Sequence, residues 1–254
     1  MHLHLDLSRG LTGDMFIAAV LDTFPQFEAR VIAAVDALDG AYPVICSLIA
    51  HSDYEFTGRR FEVEPFDKYF GCIPFAYPVA SQGDAAWHEG TSWKSVRQRL
   101  HAAEIDSGVR SHAIKIFERL VEAESSVHGI KPDSVAFQEV AAWDAVTEIV
   151  GAAALIVALG GVRWTASPPP QDEAVTLTGA SIVSYLCPPT TAARNFALCA
   201  LVGTGHGFAS HSSGLASGQM RVLWFDDEAK RPHHGNLMQG LDRVRERSGD
   251  RAAP

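Results

Sequence analysis

Asp144 and Glu148 stand four residues apart in the run V-A-A-W-D-A-V-T-E-I-V-G-A-A-A-L-I-V-A-L-G-G-V, residues 140–162, where Thr147 is the other strongly polar side chain. That spacing puts both carboxylates on one face of a helix, one turn apart. The rest of the run is apolar on nearly every side, so the helix must be buried in protein. Two carboxylates on a buried helix repel and desolvate each other unless something cationic lies between them: a metal ion, an arginine, a lysine or a proton. Glu139, just upstream in F-Q-E-V, adds a third acid near the helix start. The competing reading is structural, with the first turn of the helix reaching the surface and its acids favoured by the helix dipole.

A second stretch with chemical potential is L-D-L-S-R-G-L-T-G-D-M-F, a strand, a turn and a helix start. Asp6 lies at the end of the strand. Gly10 and Gly13 let the backbone approach a ligand, and free N–H groups at the helix start suit an anion such as phosphate. No G-K-[ST] follows, so this is not a P-loop, and the glycine spacing is wrong for a dinucleotide fingerprint. The plain alternative is a strand-to-helix turn that needs glycine for its backbone angles. His2 and His4 alternate on one face of the first strand and are either a metal pair or solvated edge residues. His206 and His211 sit in G-T-G-H-G-F-A-S-H-S-S-G, which reads as a loop that wraps a ligand or merely connects. His233 and His234 fall in a polar tail and read as surface. Ser8 and Ser184 lack the G-x-S-x-G context of a nucleophile elbow.

These residues need elements to hold them. Residues 2–6 read as a first strand, and a helix runs from Asp14 to a stop before Pro25. Residues 26–38 form an amphipathic helix. Strands are expected at 44–50 and 59–64, with Thr57-Gly58 as the turn between them. Residues 65–90 mix prolines, glycines and aromatics and read as a loop. Helices resume at 92–103 and 107–127, the latter capped by Gly129, and the buried helix covers 140–160. Pro168-Pro169-Pro170 breaks the chain. A short helix at 190–196 and strands at 197–202 and 219–225 follow. Beyond Asp226 the chain is charged and reads as a frayed tail. The expectation is an α/β (or α+β) fold, a mixed sheet with packed helices and one buried apolar helix. It would span residues 1–226, with two subdomains if the 65–90 loop divides it.

The 254-residue chain is 47% hydrophobic and 20% charged, an ordinary globular composition. Its net charge of −9 argues against nucleic acid and anionic membrane as main partners. Cys46, Cys72, Cys187 and Cys199 form no C-x-x-C pair, which argues against a thiolate zinc site and for a reduced, cytoplasmic protein. M-H-L-H-L-D is not a signal peptide, and the apolar stretch 149–159 is too short to span a bilayer.

Three segments in order carry a family resemblance: G-L-T-G-D-M-F after a strand-end Asp, I-F-E-R-L-V-E-A-E-S-S-V-H-G, and E-V-A-A-W-D-A-V-T-E-I-V-G-A-A. G-T-G-H-G and M-R-V-L-W follow them. Together they resemble the LarC family, in patches over residues 2–225. The resemblance implies nickel insertion into a sulfur-bearing pyridinium mononucleotide, with CTP hydrolysis and a divalent cation. On it, Asp14 and Asp144 are expected to be catalytic. Glu139, Asp144, Glu148 and His128 are expected as metal ligands, and Asp6, Gly10 and Gly13 as cofactor-binding. The chain departs from the family in places. Only His88 remains of a histidine-rich run, and where the family reads H-x-H-E-V-G this chain has Ala136, Gln138 and Ala141. It also stops near where the family's C-terminal domain begins, so a separate chain would supply that domain and its CTP handling. Nickel prefers imidazole and thiolate to carboxylate alone, so the lost histidines imply weaker metal binding. The alternative is a divergent, non-catalytic module that keeps the fold and binds a ligand or partner.

Overall fold

The structure, a computed structural model, describes residues 1–38, 44–65, 92–137, 139–170, 175–188, 200–210 and 218–226, with the backbone alone at 65 and 139–143. The first strand, β1 (His2–Arg9), alternates as expected, with Leu3, Leu5 and Leu7 in the core and His2, His4 and Asp6 on the other face. Thr12 caps helix α1 (Gly13–Thr23), which is buried nearly throughout. After a 3-10 turn at Pro25–Phe27, helix α2 (Glu28–Asp36) leads to the hairpin of β2 (Val44–Ser52) and β3 (Thr57–Pro65). Helices α3 (Trp93–Ala102), α4 (Ser107–His128) and α5 (Glu139–Leu159) follow. Then come β4 (Arg163–Ala166), α6 (Leu177–Leu186), β5 (Ala200–Phe208) and β6 (Gln219–Asp226).

The strands form one mixed six-stranded sheet in the order β2-β3-β5-β6-β1-β4. β1 is parallel to β4 and antiparallel to β6, β3 is parallel to β5, and the other pairs are antiparallel. Strands from both sides of the 65–90 stretch join this sheet. The fold is α/β, as the sequence implied. Helix α1 crosses the middle of the sheet against β3, β5 and β6, and α5 lies over α1, between α2 and α4. Met15, Phe16, Ile17, Val20 and Leu21 of α1 and Ile149, Val150 and Leu155 of α5 are fully buried. Each such side chain contributes about 1.5–3 kcal/mol of transfer free energy. Among the described residues no helix is long and apolar enough to cross a membrane.

Four expectations change. The turn of the first hairpin lies at residues 53–56, not at Thr57-Gly58, because Asp53 Oδ1 accepts from the backbone of Glu55 (2.8 Å) and Phe56 (2.6 Å). Thr57 and Gly58 belong to β3. G-T-G-H-G is strand β5 rather than a loop. Its glycines are there for α1: a Cβ on Gly205 would strike the Ala19 carbonyl, and one on Gly207 the Met15 carbonyl. Helix α6 and the short β4 were not anticipated. The expected short helix at 190–196, the loop at 66–90 and the tail at 227–254 lie outside the described residues, as do His88, Gln138, His211, His233 and His234.

Candidate functional site

The site forms where the first turn of α1 meets α5. Thr12 accepts from the Met15 N–H (3.3 Å) as an N-cap, and its hydroxyl donates to the Asp14 carboxylate. Asp14 is 1% exposed. It accepts from the N–H of Met15 at 2.8 Å and from that of Ser210, 196 residues along the chain, at 2.6 Å. Glu148 reaches down from α5 and accepts from the Asp14 backbone N–H. Gly13 makes the approach possible, since a Cβ there would run into the Glu148 carboxylate. Asp144, one turn earlier on α5, looks onto the same spot. The structure thus brings Asp14, Asp144 and Glu148 together.

Their charges resist this. Burial pushes the Glu148 carboxyl well above its ordinary range, the charges of Asp14 and Asp144 push it further, and the Asp14 N–H opposes them in part. Asp144 is raised by burial and then by Asp14. Asp144 and Glu148 open onto a cleft of about 460 Å³, and among the described residues that line it there is no lysine or arginine to relieve them. Thr12 stands beside them, and Glu124 and His128 of α4 line one wall. His128 Nε2 lies 3.1 Å from Glu124. Thr176, Leu177 and Thr178, at the start of α6, face that wall, and Leu120, Ile130 and Val135 give it apolar patches. Ala136 also lines the cleft and offers no ligand. Among the described residues no three of His, Cys, Asp and Glu converge as a metal set. Glu139 begins α5, and its side chain lies outside what is described.

The other candidates sit elsewhere. Gly10, at φ 146°, turns the chain with its N–H on the Leu7 carbonyl at 3.1 Å. Asp6 projects from the opposite face of the sheet and pairs with Arg221 of β6 at 2.5 Å. Burial would raise its carboxyl, but bonds from Ser8 and Arg221 hold it below its ordinary range. His2 Nε2 and His4 Nδ1 both share the Thr165 hydroxyl, at 2.8 and 2.9 Å. His206 bonds Gln219 at 2.8 Å through Nδ1 and gives its backbone N–H to Asp22. Burial lowers the pKa of both His4 and His206. Three features escaped the sequence. The threonines Thr12, Thr176 and Thr178 are ordinary helix-start residues by sequence. Glu124 is legible only as the i−4 neighbour of His128. Cys46 reads as core, and burial, then Asp36 of α2 and Asp144 of α5, push its thiol up to about 12.

A family model described as "Nickel insertion protein" matches residues 3–171. A "Pyridinium-3,5-bisthiocarboxylic acid mononucleotide nickel insertion protein" from Nocardioides sp. is 34% identical over 164 residues, 65% of this chain and 36% of that protein. A "Putative nickel insertion protein" from Geobacter metallireducens is 31% identical over 188 residues, 74% of this chain and 43% of that protein. Another from Pelobacter propionicus is 28% identical over 190 residues, with the same coverage of 74% and 43%. The matched region therefore spans well under half the length of these relatives. No solved structure matches the chain.

Proposed function

The chain belongs to the nickel insertion protein family, and on that premise we propose that its acidic cleft takes part in placing nickel into a pyridinium-type mononucleotide. The observation that carries this reading is a cleft onto which Asp144 and Glu148 open, with the buried Asp14 acting on both, and whose lining, among the described residues, holds no lysine or arginine. An arrangement of that kind is costly until a cation arrives. Nickel and the ring of a pyridinium are both cations, and about 460 Å³ is within the range of small-molecule sites.

In this reading nickel is a substrate. Asp144 and Glu148 receive it, with His128 on the facing wall as the nitrogen ligand nearest to hand and Glu139 at the head of the helix. A carbon–nickel bond at a ring carbon releases one proton. Asp144, half-buried and raised by Asp14, is the group suited to accept it. Asp14 acts through the turn it holds. The phosphate is assigned to the α6 side of the cleft, by Thr176 and Thr178. At the Gly10–Gly13 turn, Glu148 takes the Asp14 N–H, and Thr12 and Asp14 take that of Met15. Gly10 and Gly13 then serve the site by letting the turn close, and Asp6 by anchoring β1 to β6. CTP hydrolysis with its divalent cation belongs, in this reading, to the part of the relatives that this chain does not match, on a separate polypeptide if need be.

One observation favours a second reading, a binding module without insertion activity: Ala136 lines the cleft at the place where the motif that the sequence resembles would have histidine. Calorimetric titration of tag-free protein with nickel separates the two. The native chain should bind weakly and discriminate poorly among divalent ions, because carboxylate oxygens are hard ligands. The Ala136→His/Gln138→His variant should bind nickel roughly tenfold more tightly, about 1.4 kcal/mol, and prefer it over magnesium. No gain in the variant favours the binding module.

A further inference from the structure

Strand β2, V-I-C-S-L-I-A-H-S, forms one edge of the sheet, pairing with β3 alone among the described strands. Its nine residues run in unbroken register against β3, from Val44–Pro65 to Ser52–Thr57. No bulge twists the edge away, no proline interrupts it, and it carries no Asp, Glu, Lys or Arg. Its neighbour β3 carries Arg59, Arg60, Glu62 and Glu64. The other edge strand, β4, is four residues long. Proteins blunt exposed edges with charge, proline, bulges or shortness, because a bare edge is a template for another strand. β4 is blunted by its length, and β2 has none of these devices. Ser47, Ile49 and Ala50 are exposed along it, Ile49 at 42%.

We propose that β2 is the seam of a homodimer, in which two copies join β2 to β2 antiparallel and continue one sheet into the other. A two-fold axis normal to the sheet keeps the helices of both copies on the same side and closes the assembly. Charge selects both the occupant and the direction. An uncharged strand meets its own copy without a like-charge contact. Antiparallel pairing sets the turn at Asp53 beside the Val44 end of the other copy, whereas parallel pairing would lay the two Asp53 carboxylates at the same end of the seam, Glu55 being paired with Arg9 at 2.7 Å. Leu48, at the middle of the strand, falls near the axis, where Ser47 and Ile49 of opposite copies meet across the seam.

The test is sedimentation of the full chain in reductant over a concentration series, with hydrogen exchange on the same samples. The native protein should sediment as a dimer, and the outer amides of β2 should lose protection on dilution. Ile49→Glu faces Arg60 within its own hairpin, and Ser47→Lys faces Glu62. Both are therefore compatible with the isolated subunit while placing a charge on the seam. Each should halve the sedimenting mass and leave the circular dichroism and the melt of the dilute protein unchanged. If Ile49→Glu fails to fold, Ser47→Lys carries the test alone. A native chain that stays monomeric throughout the series overturns the proposal, as does a dimer that survives both substitutions or a seam found with a different protein.

Discussion

The first turn of α1 and the third turn of α5 touch, yet their carboxylates live under opposite conditions. Asp14 accepts from the Thr12 hydroxyl and from the N–H groups of Met15 and Ser210. Glu148, in contact with the same turn, has one backbone N–H and two like charges for company. A buried carboxylate with several donors is a finished piece of architecture, because the donors replace the water it lost. A buried carboxylate among other carboxylates is unfinished, and its environment favours whatever brings positive charge. One turn fastens β5 and its following loop to the end of α1, and the other is held ready beside the cleft.

The largest effect that could break this contrast comes from Asp14→Ala. It takes from the Ser210 N–H and the Thr12 hydroxyl their carboxylate acceptor in a dry interior and leaves the Met15 N–H to the Thr12 cap alone, at a cost of ~2–5 kcal/mol. Urea denaturation should show it as a lower midpoint with or without nickel. A variant that keeps its stability but loses nickel binding would make Asp14 part of the unfinished side. Gly13→Ala comes next. Its methyl group meets the Glu148 carboxylate, and overpacking of this kind costs about 1–3 kcal/mol. Shortening Glu148 to Ala in the same chain should recover part of the loss, because the carboxylate goes but the residue-148 Cβ at 2.9 Å stays, and a double-mutant cycle measures the coupling.

The same contrast explains what could be read from the sequence. The α5 acids stood out because Asp144 and Glu148 interrupt an otherwise apolar helix, and the Gly10–Gly13 turn because glycine marks sharp backbone. Their convergence was harder to see. It depends on α5 lying over α1, a contact between residues more than 130 positions apart with no local signal. Ser210 as a partner of Asp14 was invisible for the same reason. β5 was misread because Gly205 and Gly207 look like loop residues locally, whereas their purpose is the close approach of α1, a fact of packing. Helix α6 was missed because T-L-T-G-A-S-I-V-S-Y-L mixes β-branched, glycine and hydroxyl residues of modest helix propensity. It forms because the Thr176 cap and packing against α4, and then α1 and α5, outweigh propensity.

The smallest effect is the most selective, and it lies in pH. The Glu148 carboxyl is raised well above its ordinary 4.5 and Asp144 above its ordinary 3.8, chiefly by burial. A carboxyl raised in the folded state still holds its proton where the unfolded chain has released it. The fold therefore binds more protons than the unfolded chain between the ordinary and raised values, and stability must fall as pH rises through that window. Each fully engaged group contributes a slope of at most about 1.4 kcal/mol per pH unit. Glu148→Gln removes the ionisation and keeps an oxygen for the Asp14 N–H. It should flatten the profile above pH 4.5 and leave the variant at least as stable as the native chain at neutral pH. Saturating nickel should flatten the native profile in the same direction, because the metal supplies the missing charge. Urea midpoints for both proteins across this range make the comparison. If Glu148→Gln instead lowers stability equally at every pH, Glu148 is a structural acid like Asp14, and the distinction between the two turns is lost.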